Sequence, residues 1–100
     1  MSVRILDVEP SHRKDKKFKA VISDGREIHF GFKGSVTYID GASSEKRNAY
    51  LKRHLANKIE NNLISNLIMS PSLLSAYILW NTNDITKNIN ILNTLLKKTK

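Results

Sequence analysis

No cysteine occurs in this 100-residue chain. Disulfides and thiolate metal sites are therefore excluded, and a reducing compartment is permitted. The first ten residues, MSVRILDVEP, hold no long apolar run and do not read as a signal peptide. No window approaches the ~18 apolar residues of a membrane span, so no membrane association is expected. Acidic residues are scarce, nine against seventeen lysines and arginines. The three histidines, His12, His29 and His54, stand far apart, and no H-x-x-x-H spacing is present. A metal site is not expected. There is no G-x-S-x-G, no P-loop and no dinucleotide fingerprint, so no cofactor is expected. No paired carboxylates share a helix face. Asp24, Glu27 and Lys33 have the composition of a nuclease site, but Asp24 reads better as a turn residue and Glu27 as a strand-surface residue. The chain is not expected to be an enzyme.

What is present is an ordinary soluble balance, 40% hydrophobic and 26% charged. One hundred residues make a single domain, 1–100, with a real but thin core. Net charge is +8 and the pI near 9.9, a balance that suits an anionic partner. The charge is segregated. Residues 1–58 hold thirteen of the seventeen basic residues, whereas 61–96 hold one lysine and one aspartate.

The most apolar window is SPSLLSAYILWN, residues 70–81, with the only tryptophan, Trp80. Ser70 suits a helix N-cap and Pro71 the first helical position. Leu73, Ala76, Tyr77 and Trp80 recur at helical spacing, and Leu74 and Ile78 widen the stripe. Such a helix needs protein on most sides. The reading makes it the centre of the core, with Trp80, Tyr77, Leu74, Ile78, Leu92 and Phe30 among the core residues.

Before it, Val3–Val8 reads as a strand ended by Glu9-Pro10-Ser11, followed by a charged connection, SHRKDKK. Phe18, Ala20 and Ile22 alternate, as do Ile28, Phe30 and Phe32, across Ser23-Asp24-Gly25. This is a β-hairpin. A three-residue loop with Gly25 at positive φ pairs Phe18 with Phe30 and Ala20 with Ile28, which gathers one apolar face. Lys17, Lys19, Val21, Glu27 and His29 then share the other face as a modest basic strip. Gly31-Phe32-Lys33-Gly34 closes the strand as a turn, where Lys33 and close backbone approach suit a phosphate. A further short strand is expected over Ser35–Ile39.

Ser43 or Ser44 is expected to cap a helix from Glu45 to about Lys58, with Leu51, Leu55 and Ile59 as its buried stripe and Asn61–Asn62 as break points. Its five basic residues include Arg47 and Arg53, and Arg47, Tyr50 and His54 lie on adjacent turns of one side. It is the leading phosphate-facing element. A last helix starts after Asn83 or Asp84, with Ile85, Ile89, Leu92 and Leu96 as a clean stripe. Ten asparagines occur at spacings that suggest no chemistry.

Four blocks carry a resemblance. Phe18, Ala20 and Ser23-Asp24-Gly25 form the first; Phe30, Gly31, Lys33 and Gly34 the second. Arg47, Tyr50, Arg53 and His54 form the third, and Leu74, Ser75 and Ile78 through Asn81 the fourth. In order and spacing they resemble a family of small basic proteins of nucleocytoplasmic large DNA viruses. The resemblance implies a viral origin and a place in the infected cell, cytoplasm or nucleus, or in the virion, and no activity. The segment ENNLISNLIMSP and the ending ILNTLLKKTK depart from it.

The sequence thus predicts an α+β domain: a small antiparallel sheet in the first forty residues packed on three or more helices from residue 44 onward. The favoured function is sequence-independent nucleic-acid binding, with Lys17, Lys19, Lys33, Arg47, Arg53 and His54 on phosphates. The alternative is a protein-interaction or virion-structural module, meeting a viral protein or a second copy.

Overall fold

The computed structural model describes residues 3–98. Three antiparallel strands, β1 (Ile5–Pro10), β2 (Phe18–Ile22) and β3 (Glu27–Phe30), form one sheet in that order. Helices α1 (Ser44–Ala56), α2 (Lys58–Ser65), α3 (Pro71–Leu74) and α4 (Ile85–Lys98) follow. The architecture is the expected α+β arrangement.

The hairpin adopts the register that gathers the apolar residues. Phe18 faces Phe30, Ala20 faces Ile28 and Lys19 faces His29. The Ile22 N–H donates to Arg26 O, and the loop Ser23-Asp24-Gly25 closes with Gly25 at φ 97. In β1 the register slips between Ile5 and Asp7. This bulge leaves Leu6 exposed and sets Ile5 opposite Ile22 and Val8 opposite Ala20. Without the extra residue Ile5 and Val8 would face opposite ways. Strand β1 also starts later than Val3 and runs through Pro10, which a sheet edge tolerates.

Ser35–Ile39 is not a strand. Gly34 takes φ 92, and the Asp40 carboxylate accepts from both the Thr37 N–H, at 3.0 Å, and the Thr37 hydroxyl, at 2.7 Å. Those bonds wind Tyr38–Asp40 into a short 3₁₀ turn. The following helix also ends early. The Asn57 side chain accepts from the Ile59 and Glu60 N–H groups and starts α2 anew. The expected stripe holds only at Leu51: Leu55 and Ile59 are exposed, and α1 turns Arg47, Tyr50 and His54 inward beside Leu51. Helix α2 ends on Leu67 at φ 53, with the Ile68 N–H donating to Leu63 O. This is a Schellman closure made without glycine.

Ser70 caps α3, accepting from the Leu73 N–H, and Pro71 opens it. After one turn the helix widens into a π stretch, Ser75–Leu79, which stops at Trp80. Leu73, Leu74, Ile78 and Leu79 are fully buried against the sheet residues Ala20, Ile22 and Phe30 and against Leu92 and Leu96 of α4. Tyr77 is only partly buried. The asparagines are structural after all. Buried Asn88 donates to Ile78 O and Thr82 O, and Asn93 trades two bonds with the Ile5 backbone, tying α4 to β1. Among the described residues no helix is long and apolar enough to cross a membrane.

Candidate functional site

A groove of about 540 Å³ opens where the turn after β3 meets α1 and α3. Gly31, Phe32, Ser35, Val36 and Thr37 form one wall; Lys46, Ala49, Tyr50, Arg53 and His54 of α1 form the second. Pro71, Ser72, Ser75, Leu79 and Trp80 form the third, with Lys16 and Glu60 completing the lining. The π stretch builds that third wall. Its i→i+5 winding lets Ser75, Leu79 and Trp80 share a side, and such stretches favour functional sites.

Inside, three rings stack. Tyr50 lies 4.3 Å from Trp80 with planes 11° apart, and His54 lies 4.0 Å from Tyr50. Tyr50 and His54 meet because they stand four residues apart on α1. Burial first, and the Glu60 charge second, push the Tyr50 hydroxyl up to about 12, against the opposing hydrogen bond with Ser75. Tyr50 therefore stays neutral in the physiological range. His54 Nδ1 lies 2.7 Å from Glu60 Oε1, which also accepts from the Ser72 hydroxyl at 3.3 Å. This carboxylate fixes the outer ring of the stack.

The groove is rimmed by cations. Lys16, Lys46 and Arg53 line it, and Lys33 is exposed on the adjoining turn. Among the described residues none forms an ion pair with these four. Phe32 stands beside Lys33 and is 68% exposed.

The six residues singled out in the sequence divide. Arg53 and His54 line the groove, and Lys33 adjoins it. Lys17 does not present its charge: its Nζ lies 2.9 Å from Asp40 and donates to Ser35 O. Lys19 is held 3.0 Å from Glu9 and 3.6 Å from Glu27. Glu9 raises the Lys19 pKa and is itself lowered by Lys19. The hairpin's outer face is thus neutralised, which corrects the basic strip. Arg47 lies over the Tyr38 ring at 5.6 Å and donates through Nε to Asn81 O. It fastens α1 to the end of the central helix. Lys16, Lys46, Phe32 and Tyr50 complete the site; the sequence set Tyr50 beside His54 on α1, but none of the four was among the six residues expected on phosphates. The hairpin alternation placed Phe32 on the apolar face with Ile28 and Phe30, which the structure corrects: β3 ends at Phe30, and the turn at Gly31, φ 79, leaves the Phe32 ring in solvent.

No group of three or more metal-binding side chains converges among the described residues. No solved structure matches the chain. An uncharacterised protein of Acanthamoeba polyphaga mimivirus is 42% identical over 52 residues. That alignment takes 48% of this chain and 52% of the viral protein, so the chain spans about half the length of the relative it matches. The likeness to proteins of large DNA viruses thus stands on a direct match. Residues 6–54, which run from β1 through α1 and supply two of the three groove walls, match the model of a family of unknown function, DUF5754.

Proposed function

We propose that this protein is a non-enzymatic nucleic-acid-binding protein that holds the phosphate backbone without reading sequence. The observation that carries this is the groove whose rim presents Lys16, Lys46 and Arg53 free of carboxylate partners. Cations already bound to acids would have to give up those partners before meeting a phosphate. Cations in water give up only counterions, and that release drives polyanion binding. The groove offers no dense set of side-chain amides aimed at base edges, as sequence reading requires. The net charge of +8 favours encounter with any polyanion.

A titration of labelled generic DNA by fluorescence anisotropy, at low and at physiological salt, tests the reading. Affinity falls steeply with salt, and scrambled sequences of one composition bind alike. Affinity that ignores salt would sink it. A protein-interaction role is the second reading. It is favoured by the exposed Leu55, Ile59 and Ile68 on α1, α2 and the segment that follows, with Ile59 74% exposed. It predicts a defined complex or oligomer in solution and no DNA retained at physiological salt.

A further inference from the structure

We infer that the groove takes a single strand, with an unstacked base laid on Phe32 and phosphates on Lys16, Lys46 and Arg53. This rests on the nucleic-acid reading above and names the form of nucleic acid. Phe32 is the reason. Its turn is well fixed: Lys33 N–H donates to Asp15 O and Ser35 N–H to Phe32 O. Gly31 and Gly34 take positive φ on either side. The backbone thus holds a large ring out in water, where it forgoes most of the gain of burial. Neither turn nor core needs a ring there, since the side chain is 68% exposed.

An exposed ring beside unpaired cations matches what a single strand offers. Its bases turn their faces outward, and a ring accepts any base by stacking. A duplex keeps its base faces inside, so Phe32 gains nothing from it short of intercalation. The size agrees. A groove of about 540 Å³ is of small-molecule dimensions, fit for a nucleotide or two and not for a helix some 20 Å across, roughly the width set by its grooves and backbones. Beyond Phe32 the lining mixes apolar carbon from Val36, Leu79 and Trp80 with the Ser72 hydroxyl and the His54–Glu60 pair, whose carboxylate is already engaged. DNA and RNA share this chemistry, since nothing in the lining singles out a 2′-hydroxyl.

The test compares twelve-nucleotide oligo-dT and oligo-rU with a mixed-sequence duplex of equal length, on the full chain at one salt concentration. Trp80, the only tryptophan, lines the groove and reports occupancy by its emission. The expected result is at least tenfold tighter binding of one or both single strands, with Trp80 emission changed. Phe32→Ala then loses about ten- to hundredfold on the single strand, the range of one lost stack, and is unchanged on the duplex. Phe32→Trp restores binding. Thermal melting of Phe32→Ala matches the parent, because the ring packs on little. Duplex binding as tight as single-strand binding, or an equal loss on both with Phe32→Ala, overturns the inference and leaves the nucleic-acid reading standing. No binding of either form overturns both.

Discussion

Gly31 shows how much of the site rests on one missing methyl. It sits at φ 79, and a Cβ there would lie 2.9 Å from Leu79 Cδ1 and 3.0 Å from Lys17 Cβ. Gly25, at φ 97, has nothing within 4 Å of the same position. Gly25→Ala therefore carries only the left-handed backbone cost, about 1 kcal/mol. Gly31→Ala adds a clash in packed surroundings and is expected to cost about 2–4 kcal/mol by urea denaturation. His29 makes a second residue-scale prediction. Burial, then the charges of Arg13 and His12, lower its pKa, and its Nδ1 meets the Ser11 hydroxyl at 2.6 Å. The folded state therefore favours the neutral ring. That preference contributes fully above the unfolded pKa of about 6.5 and is lost as pH falls through the folded value. Melting temperature is expected to drop between neutral and mildly acidic pH, and less so in His29→Gln. A drop of equal size in both proteins would remove His29 as the cause.

At the scale of elements, legibility followed chemistry that repeats. The hairpin register was readable because one pairing alone collects Phe18, Ala20, Ile28 and Phe30 on a face. The cap and start of the central helix were readable because Ser70 and Pro71 act locally. The β1 bulge was not, since only the packed sheet makes Leu6 surplus. The break at Asn57 was readable in principle. Asn57 with Glu60 three residues on has the pattern of a capping box, but the adjacent Asn61-Asn62 pair carries a competing break signal. Of the stripe Leu51, Leu55, Ile59, only Leu51 packs on the core: Ile59 is lost because a new helix resets the phase, and Leu55 because α1 turns its Arg47, Tyr50 and His54 side inward. The π stretch has no sequence signature at all, and it brings Ser75, Leu79 and Trp80 to one wall. The site was thus half visible: the basic residues are plain in the sequence, while the carboxylates that neutralise Lys17 and Lys19 reach them only through the folded turn and sheet. Ser70→Ala tests the central element. It removes the acceptor for Leu73 N–H and the donor to Ile68 O and is expected to cost about 1–2 kcal/mol. A cost near zero would mean that burial of Leu73, Leu74 and Ile78 alone sets where this helix begins.

For the whole molecule, total charge and placed charge make different predictions. Net charge governs encounter at long range, whereas counterion release counts phosphates in contact. Two triple variants separate them. Lys16, Lys46 and Arg53, each changed to Gln, strip the groove rim. Arg4, Lys87 and Lys98, each changed to Gln, remove exposed cations outside the groove. Both take three from a net charge of +8. If total charge drives binding, the two lose affinity alike. If the groove is the site, the rim variant flattens the plot of log K against log salt by about two units on a single strand, at about 0.7 per phosphate contact. The outer variant keeps its slope and is weakened only modestly. Lys19→Gln serves as the third arm. It leaves Glu9 and Glu27 without their cation, so it is expected to lower stability only slightly while leaving the salt slope unchanged. A slope that fell with Lys19 and not with the rim would move the binding face from the groove to the outer side of the sheet.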